Sequence, residues 1–215
     1  MGAKEEVIAK IRGAFGGNEY PGDPYLQGSH EGCEPEDEVG PFQGRTNWQA
    51  IEAEFLDGHA NAMSFFSEAG LRFFLPAYLV ADVEGRLNTA DPVILLTMGF
   101  SDVEVNMEMG GRTFVVRSGK SELINPRRYG AATFQDYARH RLSIFTREEA
   151  QAIVAYLEYR RDFDPHSPDK KQIDSALDGY WRERARMASP AASLQQHLKE
   201  KSEIVAAMEA SRKKQ

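Results

Sequence analysis

The sequence predicts a mainly α-helical fold: one compact helical domain over residues 1–188, a small antiparallel β-hairpin within it at about 103–117, and a C-terminal helical extension over 189–215. Three observations predict it. Apolar residues recur at helical spacing in most of the chain. The densest apolar block, Leu71 to Gly85, reads as a central helix. Only 103–116 alternates in the two-residue period of a half-buried strand. A hydrophobic share of 41% and 27% charged residues in 215 residues suit a single core of ordinary size.

Val7, Ile8, Ile11, Ala14 and Phe15 place a first helix at 3–15, which Gly16-Gly17-Asn18 stops. From Asn18 to Gly44, five glycines and four prolines remove any period, and a long loop is expected there. A loop of that length inside a domain draws attention as a site. Thr46 is expected to cap a helix presenting Trp48, Ile51, Phe55 and Leu56, with Asp57-Gly58 at its end. Ser67 caps the central helix, whose face carries Leu71, Phe74, Leu75, Tyr78 and Leu79. Pro76 removes the bond to the Arg72 carbonyl, so a kink or two abutting helices are expected.

Asp91-Pro92 breaks the chain again, and Val93-Ile94-Leu95-Leu96 reads as a short buried strand, a helical turn being the alternative. Val103, Val105, Met107 and Met109 alternate with polar residues before Gly110-Gly111 and Thr113-Phe114-Val115-Val116, a hairpin pattern. Phe134, Tyr137, Ala138 and Leu142 mark a helix. Thr146 and Glu149 have the capping-box spacing for the next, over 147–161, with Ala150, Ile153, Val154 and Leu157 inward. Ser167-Pro168 starts a helix bearing Ile173, Leu177, Tyr180 and Trp181. Ser189-Pro190 starts the last, about 190–211, with Leu194, Leu198, Val205 and Met208 on one side.

Composition limits function. No apolar run approaches the ~20 residues that span a bilayer, and the acidic opening Glu5-Glu6 is unlike a signal peptide, so no membrane partner and a cytoplasmic location are expected. The one cysteine, Cys33, forms no internal disulfide. Residues 1–100 hold sixteen acids against six bases and residues 126–215 thirteen against seventeen. The acidic half is expected to pack near the basic one within the same molecule, and the sharper alternative is a nucleic-acid surface built from Arg182, Arg184, Arg186, Lys199, Lys201, Arg212, Lys213 and Lys214. Interspersed Glu183, Glu200, Glu203 and Glu209 weaken it, because phosphate tracking needs unbroken positive potential. No glycine-rich phosphate loop is present, and no cofactor is expected.

Tyr20-Pro21-Gly22-Asp23, Glu38-Val39, Phe42 and Gly44 before Trp48, Ser64-Phe65-Phe66-Ser67, the block from Arg72 to Leu79, and Phe145-Thr146 before a helix together resemble a bacterial family, domain of unknown function 6714. The resemblance covers about 8–161, and Arg72-Phe73-Phe74-Leu75-Pro76-Ala77-Tyr78 is its most specific part. It implies a compact helical domain with no known activity, so no catalytic residue is carried over. The hairpin and the helix after Ser189 are additions to that family's pattern.

Two groups of residues are candidates for function. His30, Cys33 and His59, with the acids of 31–38 nearby, carry imidazole, thiolate and carboxylate ligands suited to zinc and would support a metal-dependent hydrolase-like enzyme. Cys33 as a nucleophile would need His30 or His59 as its base. Arg72 interrupts the central apolar block and needs a carboxylate, expected among residues 31–38. In a functional version Arg72 clamps an anion, Tyr78 donates a hydrogen bond and Trp48 forms an apolar wall. Asp82 and Glu84 read as a helix end or a carboxylate pair. The leading expectation is a non-catalytic binding or adaptor module that uses Trp48, Arg72 and Tyr78 at the core and offers the C-terminal helix to a protein partner. A metal-dependent hydrolase and a nucleic-acid-associated protein are the alternatives.

Overall fold

A computed structural model describes residues 2–30, 32–109, 112–126, 130–163 and 169–187, with 199, 200, 202, 203, 205–207 and 210 beyond them; between 103 and 118 it describes the backbone and few side chains. The fold is mainly helical. Helix α1 (Ala3–Phe15) buries Val7, Ile11 and Phe15, the stripe the sequence marks, against α5 (Glu68–Val83) and α8 (Arg147–Phe163). No helix among the described residues is long and apolar enough to cross a membrane.

The segment 18–44 is not the structureless loop its composition suggests. It contains a 3₁₀ turn at Asp23–Tyr25, helix α2 (Glu34–Val39) and a second 3₁₀ turn at Gly40–Phe42. Leu26, Val39 and Phe42 are buried, and Phe42 meets Phe55, Phe66 and Phe74 edge to face with ring centroids 4.9 Å apart. Each such aromatic pair contributes about 0.5–1.5 kcal/mol beyond burial. The segment presses on the start of α5. Ser67 N donates to Leu26 O at 2.7 Å and Gly28 N to Phe65 O at 2.7 Å. Gly28 and Gly70 make this approach possible, since a Cβ on either would sit 2.6 Å from a backbone oxygen of the other segment.

Thr46 is not a cap. Asn47 instead accepts from Gln49 N over a 3₁₀ turn at Trp48–Ala50, and α3 (Ala53–Gly58) follows as a separate helix before α4 (Ala62–Phe65). Ile51 and Glu52 are extended between them and prevent a single helix. Ser67 caps α5 through Gly70 N. Helix α5 runs unbroken from Glu68 to Val83 with Pro76 inside, so two abutting helices do not form.

Residues 93–96 lie in helix α6 (Pro92–Thr97), not in a strand. Asp91 accepts from Val93 N at 2.9 Å and Pro92 takes the first turn, a start signal that outweighs the β-branched composition. Strands β1 (Asp102–Met109) and β2 (Arg112–Gly119) pair antiparallel, with Val105 opposite Val116 and Met109 opposite Arg112. No third strand joins them among the described residues. Helix α7 (Phe134–Leu142) is capped by Thr133. Helix α9 (Lys170–Ala176) continues through a π turn at Leu177–Trp181 into α10 (Arg182–Arg184) and buries Ile173, Leu177, Tyr180 and Trp181. The Gly110-Gly111 turn, the Ser167-Pro168 and Ser189-Pro190 starts, and most of the last helix lie outside the described residues.

Asp57 ties α3 to the chain before α6, accepting from the backbone N–H of Asn88, Thr89 and Ala90 at 2.8–3.1 Å and from Asn88 Nδ2 at 3.0 Å. Burial opposes ionisation, but the hydrogen bonds from Thr89, Ala90 and Asn88 outweigh it and lower the carboxyl to about 2. A carboxyl lowered by folding stabilises the native state fully above its unfolded value, and that contribution is lost as pH falls through the folded one. Asp57→Asn is expected to be less stable than wild type at about pH 6, with the difference shrinking as pH falls from about 4 to about 2. Urea unfolding across that range checks it; a constant difference would contradict it.

Candidate functional site

The candidate site is a cleft of about 450 Å³ where the end of α1, the turn after it, α5 and the segment before α8 meet. Arg72 and Phe73 of α5, Asn18 and Tyr20 of the turn, and Ile144 line it. Its geometry starts from Glu149. Thr146 and Glu149 form a reciprocal capping box, Thr146 N donating to Glu149 Oε2 at 2.8 Å and Glu149 N to Thr146 Oγ1 at 3.2 Å. The same carboxylate, fully buried, takes Arg72 Nε at 3.0 and 2.9 Å and Arg72 Nη2 at 2.9 Å. The partner of Arg72 is therefore Glu149 of α8 and not an acid of 31–38. Helix α8 packs against both α1 and α5, which brings its first turn to Arg72.

Asn18 completes the arrangement. Its Oδ1 accepts from Arg72 Nη2 at 3.1 Å, and its Nδ2 donates to Arg72 O at 3.3 Å. That carbonyl is the one Pro76, lacking an N–H, leaves without its helical donor. The side-chain amide of Asn18 thus supplies the bond that the proline takes away. With Nε and Nη2 engaged, Nη1 of Arg72 has no hydrogen-bond partner among the described residues, and the side chain is 21% exposed.

Tyr20 forms the opposite wall, its ring 5.3 Å from Phe73 edge to face. Its hydroxyl donates to Asp23 Oδ1, and Gly44 N donates to both, at 2.8 Å to Asp23 and 3.1 Å to Tyr20. Burial first, and then the bond to Asp23, push the phenol up to about 12, so it keeps its proton at neutral pH.

No family model, curated protein or solved structure matches this chain. The chemistry of the site rests on its own residues.

The sequence-derived candidates do not gather in this cleft, apart from Arg72. Trp48 does not line the cleft; it is buried against the end of α1, its Nε1 donating to Phe15 O at 3.3 Å. Tyr78 is fully buried and donates to His59 O at 2.9 Å; burial, then the Glu38 and Asp57 carboxylates, push its phenol far above the ordinary value. Both residues are held within the core, so the proposed wall and donor for an anion clamp are absent from the cleft. His59 packs its ring on Phe55 and Phe42, while His30 and Cys33 are exposed. Among the described residues no three His, Cys, Asp or Glu side chains are placed to hold a metal ion.

Asp82 and Glu84 do not form a carboxylate pair. Asp82 accepts from Tyr156 Oη at 2.6 Å and from Arg160 Nη1, whereas Glu84 pairs with Arg86 at 3.0 Å. Two of the expected phosphate-binding arginines are also occupied. Arg182 pairs with Asp178 and with Glu158 at 3.0 Å, and buried Arg184 donates to Phe145 O and to Ser143 O at 3.3 Å. Asn18, Tyr20, Ile144 and Glu149 escaped the sequence as site residues. Glu149 carried a signal for its cap but none for its second partner, and Tyr20 carried one only as part of the Tyr20-Pro21-Gly22-Asp23 motif.

Asn18→Ala is expected to destabilise the fold by about 1–2 kcal/mol, the cost of a partly buried acceptor left without its protein donor. In a Pro76→Ala background, where the helix regains its own N–H, the loss is expected to be smaller by about 1 kcal/mol. Denaturant unfolding of the four proteins of this cycle measures the coupling, and additive losses would contradict the assigned role of Asn18.

Proposed function

We propose that this chain is a non-catalytic binding module whose recognition site is the cleft beside the Arg72–Glu149 pair. One observation carries the reading: a guanidinium nitrogen, Nη1 of Arg72, has no described partner at the edge of an open cleft whose other walls are Tyr20, Pro21, Phe73 and Ile144. Polar and apolar surface share the lining about equally, and convergent polar groups beside apolar walls are the ordinary makeup of a binding cleft. The chemistry of the lining supports binding over reaction. Tyr20 holds its proton to about 12 and spends its hydroxyl on Asp23, Arg72 is tied to Glu149, and Asn18 has no titrating group. Glu19 is exposed, and it is the one carboxylate that lines the cleft among the described residues.

The remaining parts of the reading are consistent with this. The antiparallel pairing of β1 and β2 supports the hairpin expected at about 103–117, and residues 189–215 are read as a second surface, for a protein partner. An exposed single cysteine, Cys33, suits a reducing, cytoplasmic setting. Kinship with the bacterial domain of unknown function 6714 is supported by the way its motif residues Tyr20, Asp23 and Gly44 bond to one another beside Arg72 and Phe73.

Ala69 lines the cleft, is half-buried and makes none of the polar contacts above, so Ala69→Leu fills the space while leaving the Arg72 network intact. Peptides selected from a displayed random library on wild-type protein are expected to lose about tenfold or more in affinity for Ala69→Leu, equivalent to about 1.4 kcal/mol. The variant should melt within a few degrees of wild type. Selected peptides that bind both proteins equally would contradict the cleft as the recognition site.

A further inference from the structure

Resting on that reading, we infer that the cleft recognises an uncharged amide, the backbone of an extended peptide, and rejects carboxylate, phosphate and ammonium groups. The inference comes from the charge of the site. Arg72 presents two N–H donors on Nη1, which call for an acceptor. Its positive charge, however, is already matched by the Glu149 carboxylate, bidentate at 2.9–3.0 Å and fully buried. Glu19 adds a further negative charge at the rim. The buried pair sums to zero and the exposed, screened Glu19 changes this little, so an incoming anion would lose its hydration without a net opposite charge to replace it.

A cation fares no better. It would have to approach the donor edge of a guanidinium, and Glu19 is exposed, so its attraction is weakened by water and salt. A neutral carbonyl loses little hydration on entry and still gains a hydrogen bond from a charged donor, among the stronger kinds available to a protein. The flanking surfaces fit the rest of such a segment: Tyr20 and Phe73, in edge-to-face contact, with Pro21 and Ile144, offer apolar walls to small side chains on either side of the amide plane.

No other charged groups line this cleft than Glu19 and Arg72 among the described residues. An anion clamp, the reading Arg72 invites from sequence, would leave the guanidinium free of any carboxylate. Here the carboxylate arrives from α8, and it changes the class of ligand from anionic to neutral.

The test is a titration of isotopically labelled full-length protein, followed by amide chemical shifts, with four probes at equal concentration: N-acetyl-trialanine methylamide, acetate, inorganic phosphate and methylammonium. The blocked tripeptide is expected to shift Gly17, Asn18, Glu19 and Tyr20 saturably, each charged probe to produce less than about a tenth of that effect, and Ala69→Leu to abolish the response. Acetate, phosphate or methylammonium moving the same residues as strongly as the peptide would overturn the ligand class while leaving a functional cleft in place. Silence from all four probes would overturn the inference as well, and the library selection on wild type and Ala69→Leu would then judge the cleft independently.

Discussion

A carboxylate taken out of water has to be bonded on every side, and Glu149 meets that demand with groups from two parts of the chain, one of which holds a third. Its own helix supplies Thr146 N, α5 supplies Arg72, and through Arg72 the turn after α1 is held by Asn18. Helices α1, α5 and α8 form the packed centre of the fold, and this one carboxylate and one guanidinium fix their mutual register at a common end. Apolar contact alone does not fix it, because the buried faces of α1, α5 and α8 consist of residues whose packing tolerates sliding far better than a bidentate ion pair does. Arg72 and Asn18 of this network also line the cleft.

Pro76 belongs to this arrangement. Inside a helix a proline removes one bond and costs about 3 kcal/mol when nothing compensates. Here Asn18, sitting just past the end of α1 with its N–H on Phe15 O, is already in reach of the freed carbonyl. Phe15 O also receives Trp48 Nε1, so the end of α1, the proline turn of α5 and the Trp48 turn are linked through two backbone carbonyls. Around the far side of α5, Phe42, Phe55, Phe66, Phe74 and Tyr78 close an aromatic cluster that fastens the segment 18–44 to the core. Burial of side chains of this size at about 1.5–3 kcal/mol each makes that segment an integral part of the domain despite its glycines and prolines.

The helices with a clear apolar period were legible in the sequence: α1, the Ser67 cap of α5, the Thr146 and Glu149 cap of α8, and the stripe of Ile173, Leu177, Tyr180 and Trp181 all follow from local rules. Residues 18–44 were not, because their order comes from contacts such as Gly28 with Phe66 and Phe42 with Phe74, which leave no local pattern. Val93 to Leu96 misled through composition, where the Asp91 cap and Pro92 decided for helix. At the site, the need of Arg72 for a carboxylate was legible and the identity of that carboxylate was not, since residues 72 and 149 meet only once the chain is folded. Trp48 and Tyr78 stood out for their chemistry, yet each spends its polar atom on a backbone carbonyl in the core. Asn18, the residue that joins the proline, the arginine and the end of α1, looked in sequence like a stop signal and nothing more.

The most direct test of the Glu149 carboxylate as the organising interaction is the unfolding free energy of Glu149→Gln. The substitution keeps the shape and a capping acceptor, and removes the charge that holds Arg72. The account predicts a loss of about 2–3 kcal/mol in urea unfolding, somewhat below that of a wholly buried pair because Arg72 retains some access to water. A change within about 0.5 kcal/mol of wild type, the behaviour of a surface ion pair, would contradict it.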